Sequence, residues 1–181
     1  MDVKHALFRF DGRLRRRDWW LWSIGLGLAF FVVSDASAAL LGLEDYVFSR
    51  GGREAVIGDP VLPLAHNLVM TLVFLWPQAA LAVKRAHDRG SAAWPVLVAT
   101  VVTPALSFWP LETYEAAGAA LDTGDLAGGG GLIAALVTLA VSLYLLVVLG
   151  FLDGTAGPNR FGRSPKGIGG DPADAAADVF S

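Results

Sequence analysis

RFDGRLRRRDWWLWSIGLGLAFFVVSDASAALLGLE, residues 9–44, decides the fold. Five arginines come first, then Trp19, Trp20 and Trp22, then an apolar run. The 25 residues between Asp18 and Glu44 carry one charge, Asp35. A helix rises about 1.5 Å per residue, so roughly 20 apolar residues cross a hydrocarbon core of about 30 Å. Indoles favour the interface between core and water, so the tryptophans mark where the chain enters the bilayer.

The same pattern recurs outward along the chain. Asp59 and Lys84 enclose 24 residues without Asp, Glu, Lys or Arg; Arg89 and Glu112 enclose 22; Asp125 and Asp153 enclose 27. The runs are continuously apolar rather than alternating, which excludes the strands of a membrane barrel. The spacing predicts an all-α membrane protein with four transmembrane helices at about 18–43, 61–83, 92–111 and 132–152, in one domain over 1–170. Pro95, Pro104 and Pro110 are expected to kink or break the third helix. Four consecutive glycines end the acidic stretch before the fourth, and 171–181 is expected to be a disordered tail. Composition agrees: 54% of residues are hydrophobic and 17% charged, against about a quarter charged in soluble domains.

Basic residues orient the chain. With both termini cytoplasmic, 12 of the 14 Lys and Arg fall inside, leaving Arg50 and Arg53 outside. The expected location is a cytoplasmic membrane, crossed several times. A cleaved secretion signal ending at Ala36-Ser37-Ala38 is disfavoured, because the apolar run continues to Leu43 and three tryptophans would be unusual in a signal core.

Three basic clusters abut these spans: RFDGRLRRRDWW (9–20), KRAHDRG (84–90) and NRFGRSPK (159–166). Phe10-Asp11-Gly12-Arg13, Arg16 and Trp19-Trp20 form an opening pattern. Arg85-Ala86-His87-Asp88-Arg89-Gly90 with Trp94 forms a central one, and Gly157-Pro158-Asn159-Arg160-Phe161-Gly162 with Pro165 a closing one. Together they resemble the bacterial inner-membrane family called domain of unknown function 805, over most of residues 7–166. The resemblance implies a small four-helix membrane protein and no established activity.

Arg13, Arg16, Arg85, His87, Asp88, Arg89, Asn159 and Arg160 lie near helix ends on one face, and a bundle would bring them together. Arginine and aspartate form forked ion pairs, so Arg13 or Arg16 is expected to meet Asp88, and Asp11 or Asp153 to meet Arg85. The leading expectation is a polar lock that ties helix ends and contacts anionic lipid or a protein partner. The alternative is a site for a small anion or lipid head group, in a binding or transport component. A lipid-modifying enzyme ranks last. No enzymatic activity, cofactor, metal or nucleic-acid partner is expected; membrane lipids, and a protein partner or second copy, are. His87-Asp88 lacks the three or four ligands that zinc requires, and no cysteine is present.

Ionisable groups inside a bilayer are costly and draw attention. Asp35 and His66 lie about 24 and 27 Å above the cytoplasmic edge by helix rise, and are expected to pair across the first two spans. Gln78 is expected to reach the arginine cluster or a carbonyl freed by Pro77. Ser142 and Tyr144 are expected to join helices.

Overall fold

The computed structural model describes residues 3–43, 61–107 and 129–167. Their regular elements are helices, with no strand among the described residues beyond an isolated bridge between Asn159 and Gly162. A short helix α1 (Val3–Phe8) precedes α2 (Arg16–Leu40), α3 (Val61–Asp88), α4 (Trp94–Ser107) and α5 (Gly129–Leu145). A π-helical segment, Leu146–Phe151, continues α5.

Contacts run α2–α3–α4–α5, and the π segment returns to α2 and α3, closing a ring. Helix α1 lies against α3. Among the described residues three helices are long and apolar enough to cross a membrane: α2, α3, and α5 with its π extension. The described part of α4 has 14 residues, about 21 Å of helix, and its continuation from 108 lies outside the described residues. The tail expected at 171–181 and the loop at 44–59 also lie outside them.

One boundary needs correction. The KRAHDRG stretch, expected as a short turn after a helix ending at 83, is helical as far as Asp88. The chain stops there for a local reason. Gly90 takes a φ of +68°, its N–H bonds His87 O at 3.0 Å, and the Ser91 N–H bonds Ala86 O at 3.0 Å. These paired bonds make a Schellman stop, whose left-handed position suits glycine. At the other end of the chain of spans, α2 begins after an extended Arg15 without a side-chain cap. Asp18 stands in its first turn, where the exposed N–H dipoles favour negative charge.

Burial is uneven. Leu21, Leu28, Phe31 and Val32 on α2 stay exposed, as expected of side chains whose solvent is lipid. The buried apolar residues gather toward one end, around Ala79–Val83, Ala86, Val96, Leu149 and Leu14. Small residues on α3 let neighbouring helices approach closely. Gly150 does the same for α2: a Cβ there would stand 2.9 Å from the Trp20 ring and 3.2 Å from Trp19. The tightly packed end is also the end that carries the basic clusters.

Candidate functional site

Asp88 occupies the last turn of α3 and is 2% exposed. Arg13, from the segment between α1 and α2, sends Nε and Nη2 to Asp88 Oδ1 at 3.2 and 3.0 Å. Arg85, one turn back on α3, sends Nη1 to Asp88 Oδ2 at 2.6 Å. One carboxylate is therefore clamped between two buried guanidinium groups. A buried charge is tolerable only when paired and fully hydrogen-bonded.

The surplus positive charge is met by carbonyl dipoles. Arg13 Nη1 donates to Gly157 O at 2.8 Å and Gly162 O at 3.2 Å, and Nη2 to Thr155 O at 2.8 Å. Arg85 Nε donates to Leu149 O at 2.8 Å, and Nη2 to Leu152 O. Every nitrogen of both guanidinium groups is engaged.

These bonds solve a problem that helices create. The last four carbonyls of a helix lack partners within it and carry partial negative charge. At the end of the π segment, Leu149 O and Leu152 O go to Arg85, Gly150 O takes Trp20 Nε1 at 3.0 Å, and Phe151 O takes Arg16 Nη1 at 3.1 Å. At the end of α3, Asp88 O accepts the Thr155 N–H at 2.8 Å and Thr155 Oγ1 at 3.0 Å, and His87 O accepts Asn159 Nδ2 at 2.9 Å. At the end of α1, Lys84 Nζ donates to His5 O at 2.6 Å and Ala6 O at 2.5 Å, with the lysine wholly buried. Three helix ends are thus sewn together by side chains from other elements.

A second layer stacks on the first. The His87 ring lies flat on Phe161, centroids 3.9 Å apart and 11° from parallel, and His87 Nδ1 is 3.3 Å from Gly12 O. The Arg160 guanidinium sits 4.7 Å from the same Phe161 ring centre, a cation–π contact. Asn159 closes the loop beneath by accepting the Phe161 N–H at 2.9 Å.

The structure thus brings together Arg13, Arg85, His87, Asp88, Asn159 and Arg160. Arg16 lies at the margin, exposed and 3.3 Å from Asp153. Arg89 is half-buried and has no ion pair among the described residues. The expected Asp88–Arg13 pair is present, but neither Asp11 nor Asp153 reaches Arg85. Asp153 pairs with Arg16, and Asp11 holds Arg9 at 3.0 Å and His5 at 3.2 Å. Arg85 and Asp88 are three apart on one helix, so the near partner takes the arginine. Desolvation would raise the Asp11 pKa, but the bonds from its own N–H, His5 and Arg9 together outweigh that and hold it below the usual value.

The expected contact of Asp35 with His66 also needs correction. His66 Nε2 meets Ser37 Oγ at 2.8 Å, and Asp35 is exposed. Residues two apart on a helix point about 200° apart, so Asp35 faces away from the side that touches α3. Lys84, Thr155 and Gly154 were not singled out from sequence. Sequence spacing places Lys84 just past the end of the second span rather than inside α3, and its partners on α1 carry no side-chain signal. No group of residues fit to hold a metal occurs among the described residues.

A family model described as "Protein of unknown function (DUF805)" matches residues 7–163. The chain is 29% identical over 178 residues to the "Uncharacterized protein YiiR" of Escherichia coli strain K12, covering 93% of each chain. The YiiR protein of Escherichia coli O157:H7 matches to the same extent. No solved structure matches.

Proposed function

The chain belongs to the DUF805 family, and from that premise we propose that it is a non-enzymatic protein of the bacterial cytoplasmic membrane. In this reading it spans four times, with both termini cytoplasmic, and its Arg/Asp/His cluster locks the cytoplasmic ends of the bundle. A rim of exposed cations then meets anionic lipid or a protein partner.

The observation that carries the reading is the saturation of the clamp. Arg13 spends its fork on Asp88, Thr155, Gly157 and Gly162, Arg85 bonds through all three nitrogens and its side chain is 0% exposed, and both Asp88 oxygens are taken, so neither fork is open to a guest. A substrate-binding arginine would keep part of its fork open. Arg15 and Arg17 differ: they share only Asp18, and Arg17 is 78% exposed. They sit just before the tryptophan belt, where each positive side chain near an anionic leaflet contributes about 1 kcal/mol. The common location of the 9–20 segment, the end of α3 and the 153–163 segment at one end of the bundle supports an even number of crossings.

One observation favours the alternative of a small-anion site. A cavity of about 230 Å³ beside the clamp is lined by Arg15, Arg16, Arg17, Asp88, Asp153, Gly154 and Lys166. Its rim is cationic, although Asp88 and Asp153 also face it.

Two variants separate lock from rim. Asp88→Asn leaves two buried cations without their counter-charge; breaking such a pair costs about 3–5 kcal/mol, so melting in detergent should fall by roughly 6–20 °C. The double change of Arg15→Gln and Arg17→Gln should leave melting within about 2 °C and halve or more the capture on vesicles of phosphatidylglycerol. Equal effects of both sets on both readouts would sink the division into lock and rim. Retention of capture by the double variant, with loss of bound inorganic phosphate, would favour the anion site.

A further inference from the structure

Above the clamp, inside the bundle, lies a cavity of about 520 Å³. Ligand pockets run from about 300 to 1,000 Å³. All four long helices line it: Trp19, Ser23, Gly27 and Phe30 from α2, Thr71, Phe74 and Gln78 from α3, Thr100 and Thr103 from α4, and Ser142 from α5. Leu149 and Ala82 form its floor, and Leu149 O is the carbonyl held by Arg85.

The polar groups on this wall divide into two kinds. Thr100 and Thr103 bond back to Val96 O at 2.7 Å and Ala99 O at 2.9 Å, the usual way a hydroxyl satisfies itself inside a membrane helix. Ser23 does not. Its Oγ is buried with no hydrogen-bond partner, and among the described residues it is alone in this. Thr71 and Ser142, both half-buried, and Gln78, which is exposed, also hold no hydrogen bond among the described residues, so their donors are open to a guest. An unmade bond at a buried hydroxyl costs about 1–3 kcal/mol, so native proteins keep few. Among the described residues, no Lys, Arg, His, Asp or Glu lines the cavity.

We infer that this cavity is a binding site for an uncharged, membrane-soluble lipid whose polar end is a carbonyl. The apolar wall and Trp19, Phe30 and Phe74 receive its body, Thr71, Gln78 and Ser142 supply O–H and N–H donors to its oxygen, and Ser23, whose Oγ is now fully buried, joins them by a turn of its side chain. A charged head group has no counter-ion here and would lose its hydration without return. A wholly apolar chain would leave the Ser23 hydroxyl unmet. The inference goes beyond the lock and does not depend on it, since the cavity lies on the membrane side of the clamp.

Two glycines of α2 make the test clean. A Cβ added at Gly27 or at Gly25 would meet nothing within 4 Å, yet only Gly27 lines the cavity. A side chain at Gly27 thus starts in open space at the cavity wall, so Gly27→Leu extends apolar bulk into the site, and Gly25→Leu is the same change beside it. Native mass spectrometry of the full chain in detergent would follow titration with three probes: a dimethoxy-methyl-benzoquinone carrying a decyl tail, dioleoylglycerol and dioleoyl phosphatidylglycerol. The expected result is saturable binding of one or both uncharged probes, weakened at least tenfold by Gly27→Leu, several-fold by Ser23→Ala, and unchanged by Gly25→Leu. The tighter of the two identifies whether a quinone-type or a glycerol-ester carbonyl is preferred. Should Gly27→Leu fail to fold, Ser23→Ala combined with Gln78→Leu carries the same comparison. Absence of saturable binding by both uncharged probes, equal loss in the Gly25 and Gly27 variants, or preference for phosphatidylglycerol overturns the assignment.

Discussion

Gly154→Ala should be far more damaging than a glycine-to-alanine change in a loop ordinarily is. A Cβ on Gly154 would stand 1.9 Å from Asp88 Oδ2 and 2.5 Å from its Cγ, where contacts under 3.0 Å essentially never occur. The carboxylate would have to retreat by more than 1 Å. It has nowhere to go: Arg85 holds Oδ2 at 2.6 Å and Arg13 holds Oδ1 at 3.0 Å. The alternative is to move the Gly154 backbone, but the next residue's N–H bonds Asp88 O at 2.8 Å. Gly154 is not among the positive-φ glycines, so backbone strain adds nothing and the cost is steric. Overpacking costs about 1–3 kcal/mol and a broken buried pair about 3–5, so we expect about 2–4 kcal/mol. At roughly 2–4 °C per kcal/mol for a chain of this size, that is a fall in melting temperature of about 5–15 °C. Gly157→Ala is the control, because its added Cβ would meet nothing within 4 Å. Intrinsic tryptophan fluorescence during heating of both variants in one detergent would measure the difference. Melting of Gly154→Ala within about 2 °C of the parent would refute the claim that Asp88 is wedged between two arginines and the 153–155 backbone.

Two further outcomes are expected. Lys84→Met removes the donor to His5 O and Ala6 O while keeping the stem, and bonds from charged groups contribute about 1.5–3 kcal/mol. Amide hydrogen exchange in Val3–Phe8 should therefore speed up by about ten- to a hundredfold, with little change for α3; unchanged exchange would show that α1 is held by other contacts. Reporter fusions within 84–90 and after Pro165 should read cytoplasmic, and those at 50–58 and 118–128 external. A C-terminal fusion reading external would overturn the four-span topology.

Much of the architecture was legible because the bilayer enforces it. A segment without water must bond its own backbone, so a run of more than about 20 apolar residues becomes a helix whatever its detailed sequence. Residues 18–43 and 132–152 needed no tertiary information to be read as spans. The end of α3 was read too early because the charges at Lys84, Arg85 and Asp88 resemble a water-facing turn. They are helical and buried because their partners arrive from α1, α5 and the C-terminal segment.

The candidate site divides along the same line. Residue types and positions in the sequence determined that arginines and an aspartate would face one another across helix ends. Asp88 has one negative charge to share among several cations, and sequence distance cannot say which of them claim it. Only the tertiary structure decided for Arg13 and Arg85, because the packing of α1, α3 and the π segment sets which guanidinium groups lie within about 3 Å of its two oxygens. The carbonyls that complete the clamp carry no side-chain signature, and neither does the open space beside Gly27. Backbone acceptors and cavities are properties of how helices meet. Chemistry written in side chains reached the sequence reading; chemistry made by packing waited for the fold.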